Sequence, residues 1–114
     1  YCTAHAGYGA NQLGVEAEKI AAVFEFETSP LFSAAERAAL RVAWHGALQP
    51  SAVTDDDIAA LTPHFSQQEI VEIVAVLSLY GFLNRWNSTL NTELEVPPAA
   101  FAQSLAALTK NAHE

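Results

Sequence analysis

An all-α bundle of five to six helices is what this sequence predicts, on three observations. Every segment with a clear hydrophobic period repeats at helical spacing, and the ends of those segments carry helix-capping chemistry. No strand-type alternation of useful length occurs. At 114 residues the chain suits a single domain, 1–114, with room for one core but not for two.

The first helix is expected at Cys2 to Gln12, with Leu13-Gly14 as its stop signal. A second, Val15 to Phe24, carries Glu16 and Glu18 in its first turn, where acids suit the helix dipole. Ser33-Ala34-Ala35-Glu36 is a capping-box pattern opening a third helix to about Leu48, stopped ahead of Pro50. Within it Leu40, Ala43, Trp44 and Ala47 fall at i, i+3, i+4 and i+7, which predicts one buried stripe. Thr54 caps a short fourth helix that ends near Pro63. Its Asp55, Asp56 and Asp57 complement the dipole and lack the alternating ligand pattern of a calcium loop.

Ser66-Gln67-Gln68-Glu69 is a second capping box and starts the longest helix, to about Leu90. Apolar residues from Ile70 to Trp86 cover almost its whole circumference, so it must be enclosed by other helices, and this chain supplies only short ones. Pro97-Pro98 begins the last helix, Ala99 to Lys110, with Phe101, Leu105 and Leu108 as its stripe. There is no glycine-rich phosphate loop, repeat or low-complexity tail.

Composition excludes several functions. Hydrophobic residues make up 51% of the chain, which excludes disorder. Five Lys plus Arg against thirteen Asp plus Glu give a net charge of -8, which repels nucleic acid and anionic membrane surfaces. The most apolar segment, Glu69 to Trp86, contains Glu72, Ser78, Asn84 and Arg85 and reads as a buried helix rather than a membrane span. One cysteine makes no internal disulfide and nothing resembles a signal peptide, so a soluble, cytoplasmic protein is expected. The chain has no methionine and begins on Tyr1, which leads us to expect native sequence upstream.

Chemistry concentrates at the start. Cys2 and His5 are an i, i+3 pair in the first turn of a helix, where free amides and the dipole stabilise an anion. They are either a reactive thiolate with its imidazole or a small buried hydrophobe beside a hydrogen-bonded core histidine. As zinc ligands they lack partners, because His45, His64 and His113 show no ligand spacing, and no metal is expected. Trp44-His45 reads as a core tryptophan beside a partly exposed histidine. Asn84 and Arg85 either orient a carboxylate ligand or satisfy carbonyls of a neighbouring helix. Gly7, Gly9 and Ala10 give the first helix a face of small side chains that permits close approach of a helix or a substrate.

Tyr1-Cys2-Thr3-Ala4-His5-Ala6, with Gly9-Ala10 and Leu13-Gly14 behind it, resembles the active-site helix of the carboxymuconolactone decarboxylase and AhpD-like alkylhydroperoxidase superfamily. The stretch Glu72-Ile73-Val74 through Asn84-Arg85 to Leu90 is similar to the long second-half helix of that family. The resemblance implies an AhpD-like all-α subunit, without a cofactor, that assembles into trimers, hexamers or larger rings. In AhpD-like members a Cys-x-x-Cys pair reduces peroxide while a histidine and an upstream glutamate relay protons. Cys2 matches the second, peroxide-attacking cysteine, and His5 the histidine of the variant with the shorter spacing.

The first cysteine and the glutamate would both fall upstream of Tyr1, so neither has a counterpart here. Cys2 would then form a sulfenic acid that an external thiol must resolve. Absent N-terminal helices would also explain the under-covered long helix. The activity implied is a thiol-dependent hydroperoxide reductase, with Cys2 as attacking thiolate, His5 in the proton relay, and Tyr8, Phe24 and the long helix lining an organic-peroxide pocket. Tyr8, Asn84 and Arg85 are its candidate substrate-binding residues. Two alternatives stand beside it: a carboxymuconolactone-type decarboxylase holding a small carboxylic substrate through Arg85, and a non-catalytic helical oligomerisation module.

Overall fold

The computed structural model describes residues 1–111, and among these every regular element is helical. In chain order they are α1 (Cys2–Gln12), α2 (Ala17–Ala21), a 3-10 turn (Val23–Glu25), α3 (Ala34–Gly46), α4 (Asp55–Leu61), α5 (Gln67–Leu90) and α6 (Val96–Asn111). The chain divides into two compact units, one of Tyr1–Leu31 with the chain from Leu83 onward, the other of Phe32–Phe82. The division falls within α5. None of the helices among the described residues is long and apolar enough to cross a membrane.

In the first unit, α1 packs on α6 and α2, with Gly7 on the contacting face. A Cβ built there would stand 3.4 Å from Ile20 and 3.6 Å from both Phe101 and Leu105. Gly14, at φ 95, ends α1 in the left-handed region that glycine enters without cost. The second helix is shorter than its sequence predicts. After Ala21 the chain tightens, and the Glu25 amide donates to the Ala22 carbonyl at 2.9 Å, an i→i+3 bond that turns the Val23-Phe24-Glu25 stretch into a 3-10 turn.

The last helix starts three residues earlier than expected. Glu95 is the residue before its first turn, and the Ala99 amide makes the first intrahelical bond, to the Glu95 carbonyl at 3.1 Å. Pro97 and Pro98 thus occupy positions whose missing N–H would have had no partner, so both fit inside the helix. At the end of α5, Asn91 adopts φ 52 and the Thr92 amide donates to the Asn87 carbonyl at 3.1 Å. This left-handed cap reverses the chain towards α6.

The second unit is organised by three reciprocal caps. The Ser33 amide donates to Glu36 at 2.8 Å, that of Thr54 to Asp57 at 2.9 Å and that of Ser66 to Glu69 at 2.7 Å, each answered by a return bond to the capping hydroxyl. The core is Ala38, Val42 and Leu61, with Ala39, Val53, Ala60, Phe65 and Ile70 packed around it.

The buried stripe of α3 is therefore not Leu40, Ala43, Trp44 and Ala47. The face turned inward carries Ala38, Val42, His45 and Gly46, and Trp44 is 52% exposed. Size decided this. Gly46 lies so close to Leu77 that a Cβ would collide with it, and small residues let the helices approach where large ones would hold them apart. His45 is anchored on that face by Asp57, whose carboxylate accepts from its Nδ1 at 2.8 Å. α5 buries no residue fully, and Val71, Val76, Leu79, Phe82, Trp86 and Leu90 are each more than half exposed.

Asp57 joins the α4 cap to α3. The His45 hydrogen bond, then the Thr54 amide and hydroxyl, hold its carboxyl below the usual 3.8, against burial, which raises it. A carboxyl depressed in the folded state contributes stability that is complete above its unfolded value and is lost as pH falls through the folded one. Asp57→Asn should therefore lower Tm at pH 7 on the order of 5 °C. Thermal melts should show the gap to wild type closing as pH drops below 3.8.

Candidate active site

The first turn of α1 presents three side chains. Tyr1 is the residue before the helix, Cys2 its first position, and the His5 amide makes the opening bond to the Tyr1 carbonyl at 3.1 Å. Cys2 and His5 follow at i, i+3 and so share a face. The Cys2 side chain is buried, among helix-terminal amides and at the positive end of the dipole. Its sulfur accepts a hydrogen bond from Asn87 Nδ2 at 3.6 Å.

His5 is tied from the other side. Its Nε2 lies 3.1 Å from Glu95 Oε2, and the Tyr1 hydroxyl donates to Glu95 Oε1 at 3.4 Å. The Tyr1 and His5 rings sit 4.5 Å apart at 36°. One carboxylate thus accepts from both aromatic residues. Partial burial first, then the charge and hydrogen bond of Glu95, then Cys2, hold the Tyr1 hydroxyl above its usual 10.0, so it keeps its proton at neutral pH. The other imidazole nitrogen, Nδ1, is buried without a hydrogen-bond partner. The group facing Nε2 is a carboxylate, which only accepts.

Of the residues singled out from sequence, Cys2 and His5 stand in the first turn of α1, Cys2 bonded to Asn87 and His5 against Glu95 and Tyr1. Tyr8 lies two turns along α1, half-buried, with its ring edge-on to Phe101 at 6.2 Å. Phe24 is 69% exposed in the 3-10 turn. Asn84 and Arg85 are exposed on α5, and Asn87, nearly a turn further along, is the residue that reaches the sulfur. His64 is exposed with its ring edge-on to Phe65, and His113 lies outside the described residues. Among the described residues no group of three or more His, Cys, Asp or Glu stands close enough to hold a metal ion.

Sequence reasoning missed Asn87, Glu95 and the side chain of Tyr1. The available signals were the helical spacing from Asn84 to Asn87 and the position of Glu95 just ahead of a proline-opened helix.

No family profile matches the chain. It is 35% identical over 74 residues to the uncharacterized protein YnjA of Escherichia coli (strain K12), an alignment covering 65% of this chain and 41% of that protein. Its fold matches the debrominase Bmp8, crystallised as a cysteine-to-alanine variant in complex with 2,3,4-tribromopyrrole, with TM-score 0.84 and 33% identity over 92% of this chain. Apo Bmp8 matches with TM-score 0.77 and 29% identity over 91% of the chain. The chain spans about half the length of these proteins, 41% of YnjA and 56% and 62% of the two Bmp8 chains. The all-helical architecture of this chain thus matches that of Bmp8 over most of its length.

The cap at Asn91 delivers Glu95 to the site, and its left-handed backbone sets which residues it accepts. Asn91→Gly should stay within about 0.5 kcal/mol of wild type in urea unfolding, and Asn91→Val should lose about 1–2 kcal/mol.

Proposed function

We propose that this chain belongs to the AhpD-like superfamily and is a thiol-dependent oxidoreductase that reduces organic hydroperoxides through Cys2. One observation carries the reading: a buried cysteine in the first turn of α1, with Asn87 donating to its sulfur, shares a helix face with a histidine whose buried Nδ1 is open to a proton. In this reading Cys2 is the nucleophile, His5 the base and Asn87 a donor to the developing anion.

His5 Nδ1 takes the Cys2 proton, and the thiolate attacks the terminal oxygen of the hydroperoxide. The O–O bond breaks as the S–O bond forms. The departing alkoxide receives the proton held by His5 and leaves as the alcohol. Cys2, oxidised by two electrons, is now a sulfenic acid. An external thiol condenses with it, releasing water and forming a mixed disulfide, and a second thiol frees Cys2 as an external disulfide departs.

A second reading is favoured by the tribromopyrrole complex of the 33% identical Bmp8. The same thiolate would take bromine from a bromopyrrole carbon, the carbon would receive the proton from His5, and an external thiol would displace bromide from the S–Br intermediate. Both readings consume two thiols per turnover. They differ in the electrophilic atom, oxygen or bromine, that sulfur removes.

The purified protein, supplied with dithiothreitol and either cumene hydroperoxide or 2,3,4-tribromopyrrole, tests both. Cys2→Ser should abolish turnover and His5→Gln should reduce it on the order of 10²-fold. Alcohol formation supports the first reading and bromide release the second. Undiminished turnover in Cys2→Ser would sink both.

A further inference from the structure

We propose that Glu95 is the positioning residue of this site, using one carboxylate oxygen to fix His5 in the tautomer that leaves Nδ1 as the base and the other to hold Tyr1 against the imidazole. The inference deepens the thiol chemistry proposed above and rests on it for the role of His5, but not for the state of the imidazole.

The geometry has three parts. Glu95 Oε2 lies 3.1 Å from His5 Nε2, and a carboxylate only accepts, so the proton of the neutral ring belongs on Nε2. Nδ1 is buried and has no partner, which would be costly for an N–H and is tolerable for a lone pair awaiting a proton. Glu95 Oε1 takes the Tyr1 hydroxyl at 3.4 Å, and the two rings lie 4.5 Å apart. Both faces of the carboxylate are thereby used. The arrangement has the logic of an acid–histidine–nucleophile triad, in which the acid selects the tautomer and steadies the imidazolium without taking the proton itself.

Exposure argues that this contact serves orientation rather than stability. The Glu95 side chain is 58% exposed and that of His5 34%, and pairs so open to solvent contribute little to folding. Glu95 instead sits where backbone geometry delivers it: after the Asn91 turn, at the residue whose carbonyl opens α6. Its side chain is more than half exposed, so its replacement removes little buried surface.

Histidine nitrogen spectroscopy tests the proposal. Protein labelled with 15N-histidine and recorded at pH 8 in long-range 1H–15N experiments reports the tautomer of each ring, with the His5 signals identified by their loss in His5→Gln. Wild type should show His5 protonated on Nε2. Glu95→Leu should bring Nδ1–H to at least a third of the population, and Glu95→Gln, whose carbonyl can still accept from Nε2–H, should retain the wild-type form. Turnover should fall about tenfold in Glu95→Leu with KM little changed, and recover in part in Glu95→Gln. A dominant Nδ1–H in wild type, or the same tautomer ratio in Glu95→Leu, overturns the proposal. The wild-type spectrum decides even if the variant does not fold. Failure of the thiol chemistry itself reads out elsewhere, as turnover that survives Cys2→Ser.

Discussion

The cluster at the start of α1 depends on the packing of α1 against α2 and α6. At Gly7 the facing side chains are Ile20 of α2 and Phe101 and Leu105 of α6, and a Cβ there would meet them at ordinary van der Waals distance. Because Glu95 immediately precedes α6, the packing of α6 on α1 also brings the Glu95 carboxylate to the His5 imidazole.

What was legible in the sequence follows from which forces act locally. The bounds of α1 and the capping boxes of α3 and α5 could be read because Ser33, Glu36, Ser66 and Glu69 bond within one turn of themselves. The inward face of α3 could not. Periodicity ranks residues by hydrophobicity, and it chose Leu40 and Trp44, whereas the fold chose Ala38 and Gly46 for their small volume and His45 for its bond to Asp57. Pro97 and Pro98 marked the start of the last helix, and the structure places that start at Val96, three residues ahead of Ala99, because the first turn of a helix asks nothing of their nitrogens.

The candidate site was half legible for a related reason. Cys2 and His5 are neighbours on one helix, so their spacing alone pairs them. Asn87 and Glu95 are distant in sequence, and what brings them in is the reversal at Asn91 together with the packing of α6 on α1. Asn84 and Arg85 drew attention as polar groups after an apolar run, but helical geometry at the end of α5 gives the contact to Asn87, three residues beyond Asn84. Long-range partners of a motif leave no mark within it.

Electrostatics then explains why these particular groups share one place. Burial first, then the charge and hydrogen bond of Glu95, raise the Tyr1 hydroxyl. The phenol therefore stays neutral and donates, which keeps the Glu95 charge partly neutralised on the side away from His5. The Asn87 amide group donates to the sulfur. The Glu95 carboxylate stands against the His5 imidazole on one oxygen and accepts the Tyr1 hydroxyl on the other. Among the described residues, the buried side-chain polar atom of this cluster left without a hydrogen-bond partner is His5 Nδ1.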